Sequence, residues 1–162
     1  MICYHGSDLE VEDPKILNNR RPLDFGGGFY VTTNEIQARN WAFKVGYRNN
    51  TRKSVINIYE FDFENAKKEL SIIHFAYADE KWLNFVCANR NGHYFEDYDI
   101  VIGPVADDKV YKVIVEYENN DINVELALQK LKTEKLCDQI LFHTHNSLKY
   151  LKFLGSKEID YE

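Results

Sequence analysis

Short apolar runs and runs of helical period follow one another along this chain, without a regular βαβ cadence, and predict an α+β domain. Residues 2–6 read as a short strand ending at Gly6. Residues 8–27 hold two of the three prolines and read as a long loop. Gly26-Gly27-Gly28 then opens a second strand, Phe29 to Thr32. Asn34 is placed to cap a helix from Glu35 to about Tyr47, its apolar positions being Ile36, Trp41, Phe43 and Val45. Residues 55–63 predict a half-buried strand. Residues 79–90 predict a helix with Trp82, Phe85 and Val86 on one face. Tyr98 to Ile102 is a short apolar strand ended by Gly103-Pro104.

The second half is less uniform. Val110 to Tyr117 is β-branched enough for a strand, yet Val110, Val113, Ile114 and Tyr117 share a helix face, and helix is the preferred reading. Residues 122–134 predict a helix and residues 138–144 a late strand. Asn146 is read as the cap of a last helix, Ser147 to Phe153, that stops at Gly155.

Composition narrows the picture. A length of 162 residues suits a single domain, and 44% apolar and 14% aromatic content excludes a disordered chain. No run approaches the ~18 apolar residues of a membrane helix. The opening Met-Ile-Cys-Tyr-His-Gly has no basic or hydrophobic stretch of the secretory kind, so a cytoplasmic location is expected, with no membrane partner. Three cysteines, Cys3, Cys87 and Cys137, without C-x-x-C spacing, fit buried thiols in a reducing compartment. The net charge of −6 disfavours a broad nucleic-acid surface. Arg20, Arg21, Arg39, Lys44 and Arg48 form a local basic stretch, read as a solvated rim.

Two segments carry candidate chemistry. Tyr4-His5-Gly6-Ser7 puts an imidazole at a strand end, next to a glycine that lets a flat ligand approach the backbone. Phe25 to Thr33 puts Tyr30 just after three glycines, where it can serve as a stacking platform for a cationic ring. The glycine run precedes a strand, so it is not a Rossmann dinucleotide loop. His143 and His145 alternate along the late strand, but no third ligand stands at useful spacing, and a pair of surface or cleft histidines is preferred to a metal site. Asp97, Asp99, Asp107 and Asp108 lack the spacing of a calcium loop.

Tyr4-His5-Gly6-Ser7, Gly26-Gly27-Gly28-Phe29-Tyr30 and the helix that follows resemble the ADP-ribosyltransferase superfamily, in its His-Tyr-Glu branch of poly-ADP-ribose polymerases and diphtheria toxin. Across nearly all 162 residues, including Leu23-Asp24-Phe25-Gly26 and Asp138-Gln139-Ile140-Leu141-Phe142-His143-Thr144, the chain also resembles a family of small bacterial proteins assigned to that superfamily. The resemblance implies a split β-sheet core with flanking helices and NAD as substrate, without a metal. It further implies His5 on the adenosine-side ribose, the backbone of Gly6 on the nicotinamide amide, and Tyr30 stacked on the nicotinamide, with Ser7 and Gly28 lining the same site. A second stacking aromatic eleven residues beyond Tyr30 falls on Trp41, and the serine that touches the amide in relatives falls on Ala38. The third triad position holds Gln139 in place of glutamate. A glutamine orients a ribose hydroxyl but supplies no charge against an oxocarbenium-like transition state. Such proteins transfer ADP-ribose to a macromolecule and are often toxins held by a neutralising protein partner. A weak or inactive module of the same fold that binds NAD or another nucleotide is the alternative.

Overall fold

The computed structural model of the chain describes residues 1–17, 23–93, 98–134 and 136–160. Within them the architecture is α+β, with two sheets and six helices. The first sheet is antiparallel, with β1 (Ile2–Ser7) beside β3 (Val55–Phe61) and β3 beside β7 (Leu151–Glu158). The second runs β2 (Phe29–Val31), β6 (Asp138–Phe142), β5 (Ile100–Pro104), β4 (Ile72–His74), with only the β4–β5 pair parallel. One bridge joins the sheets: Tyr4 N–H donates to the Thr32 carbonyl at 2.8 Å and Thr32 N–H to the Tyr4 carbonyl at 2.9 Å.

Strand alternation sorts the side chains into two cores. Cys3, Tyr59 and Phe61 from the first sheet meet Phe29, Val31, Ile100, Ile102, Ile140 and Phe142 from the second, and all are buried between the sheets. On its other face the four-stranded sheet presents Val101 and Leu141 to α3 (Glu80–Arg90), α4 (Asp108–Glu118) and α5 (Val124–Lys132). Trp82 of α3 is fully buried there and satisfies its indole N–H on the Pro104 carbonyl at 3.0 Å. Helix α1 (Glu35–Arg48) lies on the outside of the first sheet and buries Ala38, Ala42, Val45 and Gly46. Its Asn34 cap accepts from the Gln37 N–H at 3.0 Å, as the sequence implied.

The last expected helix is a correction. Thr144, not Asn146, caps a single turn, α6 (His145–Leu148), and the chain then extends as β7. Leu151 and Phe153 face the core while Lys152 and Leu154 face out, which is a strand period. Gly155, read as a helix stop, is a strand glycine (φ 152°) opposite Ile58, where the β3–β7 register shifts. The late strand also ends sooner than expected, at Phe142. Two short elements escaped the pattern: β4, and α2 (Phe63–Glu69), capped by Asp62. The ambiguous stretch is helical, as α4.

Candidate functional site

Beyond the Tyr4–Thr32 bridge no main-chain bond joins β1 to β2 among the described residues; His5 and Gly6 lie at that seam, whereas the Tyr30 ring and Gln139 turn to the helix-side face of the four-stranded sheet. Odd positions of β1 pair with β3, since Tyr4 turns its peptide groups to Thr32 instead. Two residues on, Gly6 therefore also points its N–H and C=O towards β2, where they find no partner among the described residues. The step between is occupied by a side chain. His5 Nδ1 donates to the Tyr30 carbonyl at 2.7 Å, and its ring lies on Phe29 with centroids 4.4 Å apart. That bond fixes the proton on Nδ1 and leaves Nε2 as an acceptor. Burial pushes the imidazole below its ordinary value, the bond to the carbonyl opposing it, so the neutral form is favoured.

Gly6 is buried because α1 closes one side of it. A Cβ there would meet the Ala38 carbonyl oxygen at 2.1 Å and the Ala42 nitrogen at 2.7 Å. The glycine thus lets a helix backbone approach. Ser7 is buried, its hydroxyl accepting from the Leu9 N–H at 3.4 Å.

Tyr30 meets His5 through its backbone, not its ring. The ring leaves the other face of β2 and packs among the helix-side core residues. Its hydroxyl donates to the Gly26 carbonyl at 2.5 Å and accepts from the Phe25 N–H at 3.2 Å. Burial raises the phenol's pKa well above its usual value. The glycine run is thereby pinned to the strand that follows it. Gly28 (φ 152°) approaches β6 so closely that a Cβ would lie 2.3 Å from the Phe142 carbonyl oxygen, whereas a Cβ on Gly27 would meet nothing within 4 Å.

Gln139 emerges on the same face as Leu141, the cross-strand partner of Tyr30, and is 8% exposed. Its Nε2 is buried without a hydrogen-bond partner. Asp24 lies close by, in the turn before the glycines, and is paired with Arg90 of α3 at 3.0 Å. Burial raises the Asp24 carboxyl, while the Arg90 guanidinium, the Ala106 backbone N–H and the Gln139 carboxamide pull it down. The carboxamide is thus near enough for Asp24 to feel it, yet no hydrogen bond of ordinary geometry reaches Nε2. Arg90 also lies over the Tyr111 ring, 4.2 Å from its centroid.

Trp41 is 49% exposed on α1, touches the Arg48 guanidinium (6.0 Å to the ring centroid), and makes no ring contact with His5 or Tyr30. Ala38 lies buried against β1. His143 and His145 do not share a strand. His143 follows β6, donates from Nδ1 to the Gly27 carbonyl at 2.7 Å and packs on Tyr98 at 4.7 Å, while His145 opens α6. Arg20, Arg21 and Asp97 lie outside the described residues. Cys3 is fully buried, which pushes its thiol up to about 12, and Cys87 and Cys137 are half-buried. Two surface grooves, one along α4 and α5 and one beside Met1 and Lys152, include none of His5, Tyr30 and Gln139.

Asp24, Arg90 and His143 are the site neighbours that residue-level reasoning did not assign. Asp24 carried a signal only as part of Leu23-Asp24-Phe25-Gly26. Arg90, 66 residues away from Asp24, carried none.

The fold is a two-sheet α+β architecture whose β1–β2 pairing is interrupted beside His5, with the Tyr30 ring and Gln139 on the helix-side face of the four-stranded sheet. The chain belongs to a family described as protein of unknown function (DUF3990), whose model matches residues 1–153. No curated protein and no solved structure matches it. Among the described residues, no helix is long and apolar enough to cross a membrane.

Proposed function

We propose that the chain transfers ADP-ribose from NAD to a macromolecular acceptor and releases nicotinamide. The observation that carries this reading is the peptide of Gly6 at the seam, which has no partner among the described residues. A buried N–H and C=O side by side are costly unless paired. The carboxamide of nicotinamide offers the complementary acceptor and donor. Beside it, Nε2 of His5 is free to accept from a ribose hydroxyl, because Nδ1 is held by Tyr30. The three- and four-stranded sheets meeting at β1 and β2 agree with the split sheet that the sequence resemblance implied.

In the reaction the bond between nicotinamide nitrogen and ribose C1′ breaks, the electron pair leaving with nicotinamide. An acceptor nucleophile then bonds to C1′ and loses a proton. Tyr30 anchors the glycine turn through its hydroxyl and holds His5 through its main-chain carbonyl, with Gly28 keeping that turn against β6. Gln139 has an unpartnered Nε2 for a ribose hydroxyl, although its side chain leaves β6 on the face away from His5. Ser7 closes the β1 end, and Trp41, exposed on α1, takes no part. No step calls for a metal.

A second reading, an NAD-binding module without turnover, is favoured by Gln139, which brings no charge to the cationic transition state. Three measurements separate the readings. Labelled NAD incubated with the chain and a lysate should leave label on a macromolecule, and His5→Ala should abolish it. Tight NAD binding without label transfer, unchanged in Gln139→Glu, supports the module. No rise in melting temperature at NAD concentrations up to the millimolar range removes both.

A further inference from the structure

Residues 36–59 contain five cations, Arg39, Lys44, Arg48, Arg52 and Lys53, and no acidic residue. In a chain of net −6 the remainder therefore carries −11. This segregation has a location. Trp41, Lys44 and Arg48 follow each other at helical spacing along one flank of α1, beside the face that buries Ala38 and Ala42. Tyr47, three residues from Lys44, is 86% exposed, and Trp41 is 49% exposed. After the helix the chain turns back, the Lys53 carbonyl oxygen lying 2.2 Å from where a Gly46 Cβ would stand, so exposed Arg52 and Lys53 join the same end.

Helix-end electrostatics explain part of this, since cations favour a helix C-terminus. They do not explain two large rings left in solvent among the cations. Among the described residues the neighbouring acids are Asp108, 3.9 Å from Lys44 with its side chain almost fully exposed, Asp8, buried and bonded to Asn49, Glu35, paired with Lys157, and exposed Glu158 and Asp160, which flank Ile159 where its N–H meets the Ser54 carbonyl beside Lys53. Arg39 is engaged over Phe43, 5.5 Å from its centroid.

We propose that this face of α1 binds single-stranded nucleic acid, phosphates lying on Lys44, Arg48, Arg52 and Lys53 while bases stack on Tyr47 and Trp41. Rings interleaved with cations suit a single strand, whose bases are free to stack. An acidic polypeptide would use the charge and leave the rings idle. The surface lies on a flank of α1, the helix whose backbone packs on Gly6, and its occupation does not depend on NAD.

Fluorescein-labelled 12-nucleotide DNA and RNA, titrated with the intact chain by anisotropy without NAD, test this. Binding at 50 mM salt should weaken with a log–log salt slope of about −3, from four phosphate contacts. Lys44→Ala/Arg48→Ala should lower the slope by about 1.4, and Tyr47→Ala should weaken binding about tenfold at unchanged slope. Unchanged melting temperatures show the variants are folded, as expected for exposed positions. Absence of binding at 50 mM salt overturns the proposal. So does binding indifferent to Tyr47→Ala that poly-glutamate or a 12-base-pair duplex matches.

Discussion

His5 is bonded through Nδ1 to the main-chain carbonyl of Tyr30, so the histidine ring takes the place of a missing rung between β1 and β2. Its other nitrogen has no partner among the described residues. The contact needs the neutral ring only in part, because Nδ1 donates in either charge state.

Burial lowers the His5 pKa, so the folded chain resists protonating it. A lowered histidine contributes stability above its unfolded value, near 6.5, and loses it as the pH falls towards the folded value. Unfolding stability should therefore drop below about pH 6.5, by at most ~1.4 kcal/mol per pH unit for this one group. Denaturant melts from pH 8 to 5 should show that slope reduced in His5→Gln. An unchanged slope would place the acid sensitivity elsewhere.

Tyr30→Phe keeps the ring and removes the hydroxyl. The Gly26 carbonyl and the Phe25 N–H then lose their partner. A cost of ~1–3 kcal/mol is expected, and hydrogen exchange should quicken in residues 23–28 before it does in β6.

The glycines differ sharply. Gly28→Ala places a Cβ against the Phe142 carbonyl oxygen at 2.3 Å and the Leu141 Cδ1 at 2.5 Å with φ at 152°, so a loss of ~3 kcal/mol or more is expected. Gly27→Ala meets open space and should be neutral or stabilising by up to ~1 kcal/mol. Equal effects in chemical denaturation would refute the tight turn.

Arg90→Ala strips Asp24 of its countercharge. Both side chains are about one-fifth exposed, so the cost at neutral pH should approach ~3 kcal/mol. Because burial raises the Asp24 carboxyl, that cost is present while the group is ionised and shrinks as the pH falls and the carboxyl takes up a proton. Melts at pH 8 and pH 5 compare the two conditions, and a pH-independent deficit would point to lost packing on Tyr111.

Much of the fold was legible because local pattern and tertiary demand agreed. Helix α1, with its Asn34 cap, and α3 kept close to their expected bounds. In α4 the shared face of Val110, Val113 and Ile114 overrode β-branched propensity, since those residues fill the core against α5. Strand β7 was misread because its partner is β3, about ninety residues earlier, and pairing at that distance leaves no local mark beyond a short alternation. Of the site, His5, Tyr30 and Gln139 were visible as a likeness. The main-chain detail was not: a histidine binding a carbonyl, a tyrosine closing its own turn and a glycine peptide without a partner among the described residues depend on loop conformation and strand parity.

The Tyr4–Thr32 bridge acts as a clasp, being the single place where main chains of the two sheets hold each other among the described residues. Prying apart the mouth beyond it leaves every ladder within each sheet intact. The amide proton of Thr32 is therefore the natural sentinel: its exchange reports a gape between the sheets that the amides inside β3 and β6 would not register.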